Sequence, residues 1–147
     1  MKDLQNNKLM PILILNAQDQ VAFDQHEGIF YTQVDADGMG KAVYRHQIGA
    51  RQEDDQLVYK ETNPDIAVSV SNSLSEEFVM ININTTFLPR SNEIWLKNSH
   101  DIKEKFWLVQ PLEIGVDYQI QHSGEFLYKM TNEDDRKNYS IKRISLP

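Results

Sequence analysis

Apolar and polar residues alternate with a period of two along most of the chain, and this pattern limits the fold more than any other feature. The segment 78–84 is the clearest case. Val79, Ile81 and Ile83 fall on one of its faces, and Phe, Met and Asn residues fall on the other. Side chains of a β-strand point alternately to opposite faces, whereas an amphipathic helix repeats every three to four residues. The chain is therefore predicted to be all-β.

Polar segments that contain Gly, Pro, Asn or Asp separate these runs, as turns between strands do. Eleven strands are predicted, near residues 20–24, 28–35, 42–49, 56–62, 67–72, 77–85, 92–98, 105–110, 117–122, 125–131 and 138–144. The only helical segment that we predict is a single turn at most, around Asp101 to Lys105.

The strands fall into groups that open at Gln20, Ala67 and Asp117, at intervals of 47 and 50 residues. A repeat of about 40–50 residues with four strands per unit is typical of β-propeller blades. We therefore predict consecutive four-stranded antiparallel sheets that form two blades and most of a third, within a partial propeller over residues 1–147. The approximate blade boundaries are 17–62, 64–111 and 114–147. The pattern alone leaves a β-sandwich equally open.

Composition and charge argue against several classes of partner. The formal net charge is -7, whereas nucleic acids and anionic membrane surfaces attract an excess of Lys and Arg. The absence of Cys excludes disulfides, thiolate metal ligands and a Cys nucleophile. No stretch approaches the roughly 20 apolar residues of a membrane span, and no signal peptide is recognised at the N-terminus. We expect a cytoplasmic protein without nucleic-acid or membrane partners.

Three segments carry a more specific signal. Residues 28–32 (GIFYT) precede 43–49 (VYRHQIG); residues 55–61 (DQLVYKE) precede 68–75 (VSVSNSLS); and residues 90–96 (RSNEIWL) precede 115–118 (GVDY) and 122–124 (HSG). In this order and spacing the segments resemble the N-terminal β-propeller of the prolyl oligopeptidase family, and among its members the oligopeptidase B (protease II) enzymes. Two departures are Lys60, where the family usually has Glu, and the altered loop at Gly38-Met39-Gly40.

This resemblance implies a piece of a two-domain serine peptidase. Its propeller would cap a separate α/β-hydrolase domain and admit only short peptides to the active site. The chain alone would be no enzyme, because the nucleophile motif G-x-S-x-G and the alternating strand–helix pattern of a hydrolase are absent from it. We therefore assign no catalytic residue. The end of the chain at Pro147, just after a strand, suggests a fragment.

The sequence predicts no cofactor and no metal site. The four histidines, His26, His46, His100 and His122, lack the spacing of converging zinc ligands. The segment Asp35-Ala36-Asp37-Gly38 resembles the start of a calcium loop, but His46 stands where the loop requires its twelfth-position Glu. A hairpin turn is the favoured interpretation.

Two further sets of residues could serve recognition. The acidic runs 53–55 and 133–135 could face a cationic substrate, although solvated turns are the favoured interpretation. The aromatic residues could form a stacking platform, although packing between blades is favoured; they are Tyr31, Tyr44, Tyr59, Trp95, Trp107 and Tyr118.

Two functions remain open from the sequence. The first is a gating propeller segment of an oligopeptidase-B-like enzyme, in which Arg45 and Arg90 would form salt bridges to the hydrolase domain. The second is a stand-alone binding or interaction module without enzymatic activity. A closed propeller needs at least about four blades, so we expect self-association through open strand edges if the chain stands alone.

Overall fold

The computed structural model describes residues 2–9, 13–134 and 138–147, and these are almost entirely β-structure. One 3₁₀ turn is present in them, at Gln52–Asp54. The strands in the described residues are β1 (Lys2–Asp3), β2 (Lys8–Leu9), β3 (Ala17–Phe23), β4 (Gly28–Val34), β5 (Gly40–Gln47), β6 (Gln56–Lys60), β7 (Ile66–Asn72), β8 (Phe78–Thr85), β9 (Asn92–Asn98), β10 (Trp107–Gln110), β11 (Tyr118–Ser123), β12 (Phe126–Thr131) and β13 (Ser140–Ser145).

The strands pair in sequence order into antiparallel sheets. Strands β3–β6 form blade 1, strands β7–β10 form blade 2, and strands β11–β13 form blade 3. Strands β1 and β2 make a separate two-stranded ribbon. Connections between neighbouring strands are short, which suits antiparallel pairing. The predicted all-β fold of consecutive antiparallel sheets is confirmed, and each of the eleven predicted strands is present.

The alternating apolar residues are buried between successive blades. One cluster joins blade 1 to blade 2, with Phe30 and Val43 packed near Val70 and Ile81. A second joins blade 2 to blade 3 around Leu96, Tyr118 and Leu127, all at most 1% exposed. Three sheets therefore pack face to face in series, as propeller blades do, whereas a sandwich consists of two sheets.

The prediction of a helical turn around Asp101 to Lys105 was wrong. The carboxylate of Asp101 accepts hydrogen bonds from the backbone N–H groups of Lys103 and Glu104, and this side-chain turn replaces helical backbone bonding. The segment is a loop between β9 and β10. The 3₁₀ turn at Gln52–Asp54 was not predicted.

The hairpin connections gather at two opposite ends of the blades. One end carries the turns that follow β3, β7, β9 and β11, with His26, His100 and His122; we call it the histidine end. The other carries the turns that follow β4, β8 and β12, including the hairpin 85–91; we call it the Arg90 end. In the described residues no helix is long and apolar enough to cross a membrane.

Candidate interdomain surface

Arg45, one of the two arginines predicted to reach another domain, is held inside blade 1. Its Nε donates to Asp24 Oδ2 at 2.7 Å, and its Nη1 donates to the side chain of Gln47 at 3.0 Å. The side chains of Arg45 and Asp24 are only 13% and 2% exposed. Because Asp24 is almost fully buried, this ion pair compensates a charge that water cannot reach.

Asp24 organises the turn between β3 and β4 as well. Its Oδ1 accepts the backbone N–H groups of His26 and Gly28, both at 2.8 Å. Burial alone would raise the pKa of Asp24, but these bonds and the Arg45 guanidinium outweigh it and lower that pKa. The Arg45–Asp24 pair is therefore a fixed ionised unit that holds the turn to the sheet.

Arg90, the other predicted arginine, lies in a different environment. It is exposed in the hairpin 85–91 that joins β8 to β9. Next to it the hairpin presents apolar side chains to solvent, with Leu88 81% and Phe87 44% exposed. Ile114, 59% exposed, lies on the following loop at the same end. Exposed apolar residues clustered beside a cation are typical of a contact surface.

Internal hydrogen bonds hold this hairpin in shape. Thr85 N–H donates to Ser91 O, and Ser91 N–H donates back to Thr85 Oγ1. Ser91 Oγ donates to Pro89 O and accepts Gly115 N–H at 2.8 Å, so the next loop is tied to the hairpin. The Leu88-Pro89 peptide bond is cis. The exposed apolar side chains therefore stand on an ordered support.

A polar groove of about 350 Å³ runs beside the hairpin and is lined by Arg90 and Asp117. Tyr139 Oη donates to Asp117 Oδ2 at 2.6 Å, and this bond raises the pKa of Tyr139. The Arg90 end thus combines a cation, a carboxylate and exposed apolar side chains.

The two arginines lie at opposite ends of the blades. Arg45 reaches the histidine end, where its Nη2 approaches His26 O, whereas Arg90 lies in the hairpin at the other end. A single domain that docks on one end of the blades would therefore meet one of them and not both.

Three of the four histidines lie at the histidine end, and the side chains of two of them, His26 and His122, join blades. His26 Nε2 of blade 1 lies 2.7 Å from His100 O of blade 2. His122 Nδ1 of blade 3 lies 2.8 Å from Ser75 Oγ of blade 2. His100 Nε2 approaches Glu77 Oε2 at 3.4 Å. Each histidine is thus engaged in a hydrogen bond or ion pair, and within the described ranges no three His, Asp or Glu side chains are grouped to hold a metal ion.

The comparisons with known proteins agree with this geometry. Residues 2–146 match the family described as the prolyl oligopeptidase N-terminal β-propeller domain. The chain belongs to this family. It is 27% identical over 142 residues to dipeptidyl aminopeptidase BI of Pseudoxanthomonas mexicana, covering 95% of this chain and 19% of that protein. It is also 27% identical over 118 residues to protease 2 of Moraxella lacunata, covering 80% of this chain and 16% of the relative.

Solved structures resemble this propeller segment closely. Oligopeptidase B from Trypanosoma brucei, in a closed form with covalently bound antipain, superposes with a TM-score of 0.79 at 25% identity, over 90% of this chain and 19% of that one. Oligopeptidase B from Leishmania major gives a TM-score of 0.82 at 22% identity, over 98% of this chain and 20% of that one. The chain thus spans about a fifth of the length of these relatives.

The fourth histidine, His46, is buried inside blade 1 of the propeller. Its Nδ1 lies 2.6 Å from Asp55 Oδ1, and Tyr31 Oη donates to Asp55 Oδ2 at 2.9 Å. Burial, together with the neighbouring Asp55 charge, raises the pKa of Tyr31 to about 12, so the phenol stays protonated as a donor. This cluster ties Asp55, just before β6, to β4 and β5. The sequence analysis placed Asp55 in a solvated acidic run and did not predict this buried cluster.

The turn that resembles a calcium loop closes on itself. Asp35 Oδ1 accepts the backbone N–H groups of Asp37 and Met39, at 3.0 and 2.9 Å. Gly38 has φ +79°, which suits the left-handed turn position. The carboxylate therefore caps a hairpin turn, as the favoured interpretation has it.

The second acidic run includes a carboxylate with a structural role. Glu133 Oε1 accepts Lys129 Nζ at 2.5 Å and Glu133 Oε2 accepts Lys142 Nζ at 2.6 Å. Lys129 Nζ also donates to Gln110 Oε1 of blade 2. Hydrogen bonds from the two lysines lower the pKa of Glu133 to about 2. Residue 135 of this run lies outside the described residues.

The aromatic residues proposed for stacking are distributed over several packing layers. Tyr31 and Tyr44 stack on each other with ring centroids 5.7 Å apart. Trp107 packs with Tyr118 between blades 2 and 3, where burial raises the pKa of Tyr118 to about 12. Tyr59 and Trp95 border the core between blades 1 and 2. They form no continuous platform.

Proposed function

We propose that this chain is a non-catalytic propeller segment of an oligopeptidase-B-like peptidase, and that it gates access of short peptides to a separate α/β-hydrolase domain. The observation that carries the proposal is the family match over residues 2–146. The likeness to the T. brucei enzyme, whose fold over 90% of this chain superposes at a TM-score of 0.79, supports it.

The gating mechanism is steric. Blades stacked in series leave narrow openings, and a folded protein is wider than an extended peptide. An ordered ring of such blades in front of an active site would therefore pass peptides and hold back folded chains. The dense packing between blades, with Val43, Val70 and Val79 fully buried, suits a wall that keeps its shape.

Of the two predicted interdomain arginines, Arg90 is the better candidate for contact with the hydrolase domain. It is exposed on an ordered hairpin beside Phe87 and Leu88, and within the described ranges it forms no ion pair. Arg45 is already paired with the buried Asp24. Breaking that pair to reach another domain would leave a buried charge uncompensated.

The test is a chimera in which residues 2–146 replace the matching segment of the Leishmania major oligopeptidase B. We expect the chimera to cleave an Arg-Arg-coumarin peptide and to leave a folded protein such as lysozyme intact, while this chain alone cleaves neither. The comparison variant carries Gly40→Trp, whose side chain would overlap the backbone oxygen of Val68 and force blades 1 and 2 apart. Gating is supported if the chimera leaves lysozyme intact and the Gly40→Trp chimera does not.

Three outcomes would contradict the proposal. A chimera that folds and digests proteins as readily as peptides would show that this segment does not gate. Peptide cleavage by the isolated chain would show that it is itself an enzyme. A folded chimera without any contact between its domains would instead favour the stand-alone binding module.

A further inference from the structure

Blades 1 and 2 leave a cleft between their outer strands. It has a volume of about 640 Å³ and lies between β4–β6 on one side and β8, β9 and the loop before β10 on the other. This volume lies within the usual range for sites that bind small molecules, roughly 300–1,000 Å³. Nothing in the proposed gating role requires this cleft.

The inner walls of the cleft are aromatic and aliphatic. Phe30 and Phe106 meet edge to face with ring centroids 5.8 Å apart, and Trp95 and Ile81 lie beside them. Trp95 Nε1 already donates to Glu93 Oε1 at 2.6 Å, so the indole offers the cleft only its apolar ring. Such walls favour a flat apolar group.

The charges that line the cleft are mostly positive, although the whole chain has a net charge of -7. Arg45 is satisfied by Asp24. Lys97 is 6% exposed and donates to the backbone oxygens of Asn98 and Asp101. These two cations belong to the protein's own framework and do not need a ligand.

The cations that remain are at the mouth. Lys103 and Lys105 line the cleft and are exposed, and among the described residues neither ammonium group is in an ion pair. The one carboxylate in the lining, Glu104, accepts the backbone N–H of Asn98 at 2.9 Å and is thereby turned inward. The mouth therefore presents two cations above an apolar interior.

We propose that this cleft binds a small amphipathic anion, an aromatic ring system that carries one carboxylate. The ring would lie against the partly buried Trp95 and Phe106, because Phe30 is only 1% exposed. The carboxylate would meet Lys103 and Lys105 at the mouth. A cationic ligand would be repelled there, and a neutral aromatic ligand would gain the apolar contacts alone.

The test uses dansylglycine as the probe and its neutral amide as the matched ligand. The chain has two tryptophans, and Trp107 packs with the cluster between blades 2 and 3. The Trp107→Phe variant therefore leaves Trp95 as the only donor for energy transfer to the dansyl group. We expect saturable transfer with dansylglycine, weaker transfer with the amide, and loss of this difference in high salt.

Substitutions of the two lysines at the mouth test where the carboxylate of the probe binds. Lys103→Gln combined with Lys105→Gln should weaken dansylglycine binding about 3- to 10-fold, since each exposed charge contributes modestly, and should leave binding of the amide unchanged. Lys8→Gln, an exposed lysine outside the cleft lining, serves as the control and should change neither. Absence of saturable transfer at millimolar probe would overturn the proposal. Equal affinity for the acid and the amide, or an unaffected double variant, would do so too.

Discussion

At the scale of single residues, burial decides what each charge does. Arg45 and Arg90 are the same residue type, and the sequence predicted the same interdomain role for both. Arg45 is paired with a carboxylate that is 2% exposed, whereas Arg90 stands in solvent on a hairpin. A buried ion pair is strongly disturbed when one partner is removed, while a solvated charge contributes little to stability.

We therefore expect Arg45→Gln to lower the free energy of unfolding by about 3 kcal/mol, because it leaves Asp24 buried without its cation. The matched Arg90→Gln should change it by less than about 0.5 kcal/mol. Urea unfolding followed by circular dichroism measures both. Similar losses of unfolding free energy in the two variants would show that the Arg45–Asp24 pair does not account for the destabilisation.

Glu133 gives a pH-dependent prediction. Its pKa is about 2 in the folded chain and near 4.5 when unfolded, so its contribution to stability is fully present above pH 4.5. That contribution is lost as the pH falls toward 2, because the unfolded state then binds the proton more readily. Urea unfolding between pH 6 and pH 3 should therefore show a stability loss that Glu133→Gln reduces.

The same variant should lower stability at pH 7 by about 2 kcal/mol, because Lys129 is 7% exposed and would lose its carboxylate partner. Asp54→Asn is the control: Asp54 and its partner Arg51 are 57% and 75% exposed, and such pairs contribute less than about 1 kcal/mol. If the stability of wild type and of Glu133→Gln depended equally on pH, the contribution assigned to Glu133 would be refuted.

At the scale of elements, strands form where apolar and polar residues alternate along a short stretch of chain. Close contacts between strands of different blades depend on small residues. Gly40 begins β5, and a Cβ placed on it would overlap the backbone oxygen of Val68 in blade 2. The obstacle is backbone, which cannot move aside as a flexible side chain can. This position therefore requires glycine for a close approach between two sheets.

Gly40→Ala should consequently destabilise the chain by about 3 kcal/mol, at the upper end of overpacking effects. Gly49→Asn is the control, because Gly49 faces open space at φ +90° and Asn tolerates that conformation better than other residues. Thermal unfolding of the two variants side by side measures the difference. A Gly40→Ala variant as stable as the control would mean that the blades can separate slightly without loss.

At the scale of the whole molecule, each blade buries one face against its neighbour, and the last described sheet has an open face. Blade 3 turns Leu127 and Ile144 toward blade 2. Its other face shows Tyr128, Met130 and Ile141, which are 38%, 37% and 73% exposed. An open apolar sheet face promotes association.

For the chain by itself we expect concentration-dependent self-association through this face. Ile141→Lys should shift the population toward monomer in sedimentation velocity experiments, since a charge in the centre of the face opposes its burial. Leu74→Lys, at a turn where Leu74 is 86% exposed, should leave association unchanged. A wild-type chain that stays monomeric at high concentration would refute this prediction.

Local patterns in the sequence were sufficient to predict the strands and their grouping into blades. Alternation and turn residues depend on neighbours a few positions apart, so the strand positions and their four-strand repeat follow from short stretches of chain. The family resemblance was visible as well, because it is carried by strand segments such as 28–32 and 90–96.

Packing between distant segments decided which polar residues are buried and which remain exposed to a partner. Arg45 and Arg90 were predicted to share one role, and the stacking of blades placed them at opposite ends. It also buried Asp55 beside His46, and it left Asp101 to cap a loop. The cleft between blades 1 and 2 is lined by residues drawn from positions 30 to 106. Such placements depend on contacts between residues far apart in the chain, which local patterns do not encode.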